Sequence, residues 1–386
     1  MWQALWAGIC REAAYLWREK FDLVMITLVP LCVIVLMSSM FAQGKPEHLP
    51  IAIIDQDHGQ LSQEIQRHIT LNHTLKIYTV TEQTLEAERL LNENKIWGYV
   101  HIPAQAEQRL SQLQDANISI AYNQSYFSIG NTISSAMLLS TLGAMQEFTS
   151  SQYLAQRLPK LNAPTPHIKI SALYNPQLNY EFYLEPFMLP AILHLLLCCC
   201  VAFSVGQELK RKTFAQWSAT LQLWAALCSK NLVYIVAFSF WTWLWMFWLV
   251  EIRGWFIAGS LISILLAQIL FYSAYAFLSS AVVLATQDLS KSFGLLAVYG
   301  GSSLSFAGVT LPLNNATPFT QFWAHIIPYT PYAQVQTQQW VFGSPLQVSL
   351  KPFGILLLYC VLYALLAYSL FKLRKKPMQP QLGVKP

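Results

Sequence analysis

Charge is what this sequence has least of. Of its 386 residues 54% are hydrophobic and only 11% charged, where a globular domain carries about a quarter charged residues. With a mean hydropathy of +0.37, the composition excludes an ordinary water-soluble protein and is that of a membrane protein. Cysteine is missing from the whole polar stretch Lys45 to Tyr183: the seven are Cys10, Cys32, Cys198, Cys199, Cys200, Cys228 and Cys360. A disulfide framework is thereby excluded there, and no Cys-x-x-Cys pair signals zinc. No Gly-x-x-x-x-Gly-Lys-Ser/Thr occurs, so the chain has no phosphate-cradling loop of its own. No Ser/His/Asp or paired-carboxylate set marks a catalytic pocket, so neither an enzymatic role nor a cofactor in this chain is expected. The net charge of +5 is modest, and no nucleic-acid partner is expected.

What is present is a series of long apolar runs. Residues 1–43 hold a segment with Arg11, Arg18 and Lys20 beside Trp2, Trp6, Tyr15 and Trp17, the pattern of an interfacial amphipathic helix. Leu23 to Phe41 then suffices to cross a hydrocarbon core of about 30 Å. A cleaved signal peptide is the alternative. The long polar lead and the poor cleavage site Ser39-Met40-Phe41-Ala42 favour an uncleaved anchor.

Residues 44–183 belong to a different solvent. Ile51–Asp55, Leu75–Val80, Ile96–Ile102 and Ile118–Tyr122 read as strands. Leu61–Ile69, Glu82–Asn92 and Ala104–Leu113 read as helices between them. This alternation predicts an α/β module with its own core. Asp55-Gln-Asp57-His58-Gly59 has the residues of a metal loop, but a turn after a strand uses the same ones for backbone reasons, and the turn is favoured. Ile129 to Gln146 carries no charge, yet its Asn, Thr and Ser residues are costly in lipid. A long helix from about Gly130 to Leu158 is expected, packed in the domain or on a partner, and then a last strand over His167–Tyr174.

Residues 184–386 predict five more spans: Leu184–Val205, Asn231–Val250, Trp255–Thr286 as one tilted helix projecting beyond the bilayer, Phe293–Thr310, and Phe353–Phe371. The fold class is thus an α-helical integral membrane protein of six transmembrane helices with an inserted extracytoplasmic α/β domain. In the second span His194 is either functional, as buried ionisable groups are by default, or a neutral residue bonded to a neighbouring helix. The Cys198–Cys200 run reads as small hydrophobes rather than a soft-metal site. Residues 311–350 neither span nor dissolve. Phe319, Phe322, Trp323 and Ile326 share a helix face, and Pro312, Pro318, Pro328 and Pro331 break the segment, as in a re-entrant or interfacial hairpin.

Six spans put both termini on one side, together with 13 of the 24 Lys and Arg residues. Since short loops decide orientation, the termini and the loop Ser204–Lys230 are expected in the cytoplasm and residues 44–183 outside. That loop carries Lys210, Arg211 and Lys212 and ends at Lys230. Phe214, Trp217, Leu221 and Trp224 recur at helical spacing on one face. A basic amphipathic loop of this kind either lies on anionic lipid or is gripped by a soluble partner.

The order of parts resembles the membrane subunit of a type-two ABC exporter, and more closely the subgroup with a large periplasmic domain between the first two spans. The likeness runs through Ala121-Tyr-Asn-Gln-Ser-Tyr-Phe-Ser-Ile-Gly-Asn131, Tyr174-Asn-Pro-Gln-Leu-Asn-Tyr-Glu-Phe-Tyr183, Ser305-Phe-Ala-Gly-Val-Thr-Leu-Pro312 and Ile327-Pro-Tyr-Thr-Pro-Tyr332. The cytoplasmic loop is similar to the family's coupling motif, Glu-Arg-Glu-x-Gly-Thr-x-Glu-Gln-Leu with a Thr-Pro after it. Glu208, Thr213, Gln216 and Thr220 match, whereas Leu209, Lys210, Lys212, Ala215 and Leu221 depart from it.

The resemblance implies several roles. Loop 206–230 would be the coupling helix held by a separate ABC ATPase subunit, through Gly206, Gln207, Glu208, Lys210, Arg211, Lys212, Thr213, Phe214, Gln216 and Trp217. Gly308, Pro312, Phe319, Phe322, Trp323 and Pro328 would form the outer hairpin or gate. ATP and magnesium would reside on the partner subunit. A second permease copy or similar subunit would complete the pore, in an inner bacterial membrane, with a periplasmic adaptor and outer-membrane channel as further partners. A hydrophobic or amphipathic cargo such as a drug or lipid is expected. Two rival readings are a receptor or scaffold that uses the external domain, and an ion-coupled transporter; few intramembrane ionisable groups speak against the latter.

Overall fold

The computed structural model describes residues 2–42, 44, 46–112, 114–124, 127–155, 175, 179–219, 222–310, 313–314 and 316–375. The chain divides into two compact units, Gln43–Leu178 and Met1–Ala42 with Asn179–Pro386. The boundary thus falls a few residues before Tyr183, because Asn179 caps a short helix of the second unit, accepting from the backbone N–H groups of Glu181 and Phe182.

In the first unit the Val- and Ile-rich runs form a four-stranded sheet in the order β2-β1-β3-β4. Its strands are β1 (Leu49–Asp55), β2 (Leu75–Thr81), β3 (Gly98–Ile102) and β4 (Ser119–Tyr122). β1 pairs in parallel with β2 and β3, while β4 runs antiparallel to β3. The helices are α3 (Gln60–Leu71), α4 (Thr84–Asn92), α5 (Ala106–Ser111) and α6 (Phe127–Ala155). They follow the two of the second unit, α1 (Trp2–Arg18) and α2 (Lys20–Phe41). Ile51 and Ile53 face Leu61, Ile65 and Ile69 of α3 and Ile133 and Met137 of α6. Ala52 and Ile54 face Ala87 and Leu90 of α4. A central strand covered on both sides has no polar face to alternate with, which is why β1 reads as an unbroken apolar run.

Asp55 is a turn residue, as anticipated. Its Oδ1 accepts from the N–H groups of Asp57 and His58, and its Oδ2 accepts from the Ser62 hydroxyl at 2.6 Å and the Gln66 amide. One face of the uncharged stretch in α6 packs inside this unit, where Ser140 accepts from the Asn72 amide, while Leu138, Leu139 and Leu142 on the other face are exposed. The strand expected over His167–Tyr174 lies outside the described residues.

The second unit continues with α7 (Tyr180–Tyr183), α8 (Glu185–Lys210), α9 (Phe214–Ala219), α10 (Leu223–Phe247), α11 (Leu261–Thr286), α12 (Leu289–Gly301), α13 (Ser303–Phe306), α14 (Pro318–Ile326), α15 (Tyr329–Gln336) and α16 (Leu346–Lys375). Among the described residues five helices are long and apolar enough to cross a membrane: Lys20–Phe41, Glu185–Lys210, Leu223–Ile252, Leu261–Thr286 and Leu346–Lys375.

Three expectations change. The single span over Phe293–Thr310 is instead the pair α12 and α13, broken at Gly301–Ser302. At a rise of about 1.5 Å per residue, α12 reaches only about 20 Å. Trp255–Ser260 is not helical: the Ala258 and Gly259 N–H groups donate to the Trp340 and Gln339 carbonyls, and Ser260 caps α11 through its hydroxyl. The last helix starts at Leu346, inside the expected hairpin 311–350, and carries Pro352 within its early turns.

Gly98 is held by its neighbours. A Cβ there would lie 2.6 Å from the Ala121 carbonyl oxygen of the adjoining strand. Gly98→Ala is expected to cost the strand-bearing unit about 1–3 kcal/mol, read as a lower temperature for tryptic cleavage within residues 43–178. Gly294→Ala, with open space around it, should be neutral or gain about 0.5–1 kcal/mol.

Candidate functional site

Where α8 ends, four charges of α1, α8 and α10 meet, three of them buried and the fourth, Arg11, 38% exposed. Glu12, on the inward face of α1, accepts from Lys230 Nζ at 2.7 Å, the Ser204 hydroxyl at 2.5 Å and the Tyr234 hydroxyl at 2.8 Å. Glu208, in the last turns of α8, accepts from Arg11 at 2.8 and 3.0 Å and from the Thr213 hydroxyl at 2.5 Å. Lys230 also stands 3.3 Å from Glu208. The Lys230, Glu12 and Glu208 side chains are only 5%, 4% and 10% exposed. Two acids and two bases leave the cluster neutral, the condition under which buried charges are tolerated. Burial alone would raise the Glu12 carboxyl, but Lys230, Ser204 and Tyr234 together hold it below the usual range.

Lys230 is therefore not a loop charge. α10 begins at Leu223, so Lys230 sits about two turns into the helix, with Trp217 and Tyr15 over its ammonium at 5.2 and 5.8 Å. Arg211 pairs with Glu19 at 2.8 Å at the surface. Arg11, Glu12, Tyr15, Glu19, Ser204 and Tyr234 were not singled out by sequence as members of this site. Their partners lie far along the chain, and a lone Glu inside an aromatic-rich amphipathic helix is the only signal they leave.

The residues of the expected coupling set separate into two groups. Lys210, Arg211, Lys212 and Gln216 are exposed, as is Ala215 between them, and Gln207, Thr213 and Phe214 are half-buried. Gly206 is buried against Leu289, whose Cδ2 lies 2.2 Å from where a Cβ would be. Trp217 is buried: its Nε1 donates to the Ala226 carbonyl, and its ring lies 4.5 Å from that of Phe371 in α16. Phe214 meets Phe371 edge-on at 5.2 Å, and Trp224 stacks on Tyr368 at 4.4 Å. The aromatic face read as a docking anchor thus packs on α16, and the polar face looks outward. Thr220 and Leu221 lie outside the described residues. Lys212 has φ of +57°, the left-handed conformation that glycine adopts most easily.

At the Glu185 end of α8 lies a second brace. Glu181 accepts from Arg253 at 2.6 and 3.1 Å and from Trp255 Nε1 at 2.7 Å, and Arg253 also donates to the Ala42 carbonyl. Glu185 accepts from Trp245 Nε1 at 2.9 Å and from the Ser38 hydroxyl. The turn that carries Arg253 follows a widened (π) turn over Trp248–Ile252, closed by Arg253 N–H to Trp248 C=O.

In the hairpin region the predicted apolar face is split. Phe319 and Phe322 are exposed, whereas Trp323 donates through Nε1 to the Ser302 hydroxyl at 2.8 Å. Gly308 takes φ of +80°, Pro328 is buried ahead of α15, and Pro312 lies outside the described residues. The broken pair α12–α13 runs along α8. Leu289 meets Gly206, Gly300 approaches His194, and the Val309 carbonyl accepts from the Tyr183 hydroxyl at 2.8 Å. His194 sits among Tyr275, Phe271 and Tyr329 at 4.4, 5.3 and 6.0 Å; its Nδ1 bonds the Pro190 carbonyl of its own helix, and Gly300 of the neighbouring α12 lies against its Nε2. Cys198, Cys199 and Cys200 follow one another on a helix and project about 100° apart, so their thiols do not converge. Among the described residues one group of metal-ligating type gathers, Glu64, His68 and Glu147. There Arg67 already bonds both carboxylates, and His68 and Arg67 hold the Glu147 carboxyl below its usual range.

Comparison with known proteins follows the same parts. Residues 20–369 match the model of the family described as ABC-2 family transporter protein. The chain is similar to the probable multidrug ABC transporter permease YbhR of Escherichia coli strain K12, 19% identical over 376 residues that cover 96% of this chain and 99% of that relative. The YbhR of Escherichia coli O157:H7 matches to the same extent.

Lys230→Met, which leaves Glu12 and Glu208 short of a buried cation, is expected to destabilise the protein by about 3–5 kcal/mol, measured by thermal unfolding in detergent. Glu12→Gln added to it should restore part of the loss. Because the Glu12 carboxyl is lowered in the folded state, its contribution is full above about pH 4.5 and is lost as pH falls through the folded value. Lys230→Met should flatten that acid limb. Lys212→Gly should raise stability by about 1 kcal/mol or leave it unchanged.

Proposed function

The chain belongs to the ABC-2 transporter family and is a transporter permease subunit; from that premise we propose that it forms half of an ATP-driven exporter whose energy enters through loop 206–230. The observation that carries this reading is the clamp of Glu12, Lys230, Glu208 and Arg11. An external ATPase moves membrane helices only through an element rigidly tied to them. Here the loop is tied at both ends, by Glu208 and Thr213 before α9 and by Lys230 after it.

The outward face of that element, Lys210, Arg211, Lys212, Ala215 and Gln216, is the surface offered to the ATPase subunit, which brings ATP and magnesium. Its basic character suits an acidic groove on the partner. The course of α12–α13 along α8 supports a sixth, broken crossing. With the basic residues gathered at the Lys210 end, it supports a reading with both termini in the cytoplasm of a bacterial inner membrane and residues 44–183 in the periplasm. Two such subunits make the translocation path for a hydrophobic or amphipathic cargo, and the sheet-bearing unit is the contact for a periplasmic adaptor leading to an outer-membrane channel.

The permease purified with its ATPase subunit tests the assignment. ATPase stimulation by the permease is expected to fall about tenfold, roughly 1.4 kcal/mol, in Lys210→Glu with Gln216→Glu, while Phe214→Ala and Trp217→Ala act first on stability because both rings pack on α16. No ATPase retained under mild detergent would favour a receptor or scaffold instead. Export that stops on uncoupling the proton gradient while ATP stays high would favour ion coupling.

A further inference from the structure

A cavity of about 380 Å³ opens among α2, α8, α10 and α12, close to the clamp. Phe21, Phe203, Phe293 and Met25 line it with apolar surface, and Asp22 is the one charged residue of its wall. Asp22 is 8% exposed and accepts a hydrogen bond from the Tyr15 hydroxyl at 2.7 Å. It makes no ion pair among the described residues. Arg211 is already engaged with Glu19, and Lys230 with Glu12. An unpaired carboxylate in apolar surroundings is costly, and a cation brought into the cavity removes that cost. Aromatic faces add attraction for the same charge, and the volume is within the range of sites for drug-sized molecules.

The cavity is also joined to the clamp. Tyr234 lines it and donates to Glu12, while Tyr15 donates to Asp22 and lies under Lys230.

We propose that this cavity binds a monovalent lipophilic cation, its charge held by Asp22 and its apolar body by Phe21, Phe203 and Phe293. The inference deepens the exporter reading and rests on it for its purpose. Its test does not, because binding needs no ATPase subunit.

Binding is measured on the full chain in phosphatidylcholine nanodiscs, with empty discs subtracted, for tetraphenylphosphonium and its anionic isostere tetraphenylborate. Saturable binding of the cation is expected, weakened tenfold or more by Asp22→Asn and kept within about threefold by Asp22→Glu. Tetraphenylborate should bind the native chain no better than the Asn variant. Phe293→Trp, which fills the cavity with Asp22 intact, should weaken the cation as well and decides the location if the Asn variant does not fold. Cation affinity unchanged within twofold in Asp22→Asn or in Phe293→Trp would overturn the proposal. So would a disulfide between two chains through Cys199, which would put a second copy over the cavity. Such a result leaves the permease assignment standing, and loss of ATPase copurification leaves the binding result standing.

Discussion

The structure of the helical unit depends on keeping Lys230, Glu12 and Glu208 buried and, with Arg11 at the rim, mutually satisfied. Lys230 would not be tolerated two turns inside α10 without Glu12, and among the described residues Lys230 is the cation that Glu12 pairs with. Each acid accepts a hydroxyl as well as a base, so most of their lone pairs are occupied. A hydrophobic patch of the same volume would hold the helices together as well or better. What a charge cluster adds is register: α1, α8 and α10 must each present a particular residue at one point, and a slip along any helix strands a charge.

The two ends of the bundle are braced by different chemistry from its middle. Glu181 and Arg253 tie the turn after α10 to the approach to α8, and Trp255 adds a third contact. Between the braces lie stacked and edge-on aromatic rings around His194, among them Phe271 on Tyr332 at 4.4 Å. Rings packed by dispersion can slide over one another at small cost compared with separating buried ions. The helices are therefore pinned by ion pairs at the two ends and packed by rings between them.

Much of this was legible in the sequence, and the limits have physical causes. The strands and helices of the sheet-bearing unit could be read to within a few residues, since apolar periodicity and turn residues are local signals; Asp55 was readable as a turn for the same reason. The family was legible from motifs. The break in α12–α13 was not, because Gly300-Gly301-Ser302-Ser303 is tolerated inside a membrane helix and decides nothing alone. The direction of Phe214 and Trp217 was also hidden: periodicity identifies an apolar face but not whether it turns toward a partner protein or toward α16. The clamp joins residues about 200 positions apart, and its only local trace is one acid in α1.

One consequence concerns α1. It carries Trp2, Trp6 and Trp17 outward and is tied by Arg11 to the end of α8 and by Glu12 to the start of α10. A displacement of either end therefore cannot leave α1 behind: the helix and its exposed rings move with the clamp as its lever arm.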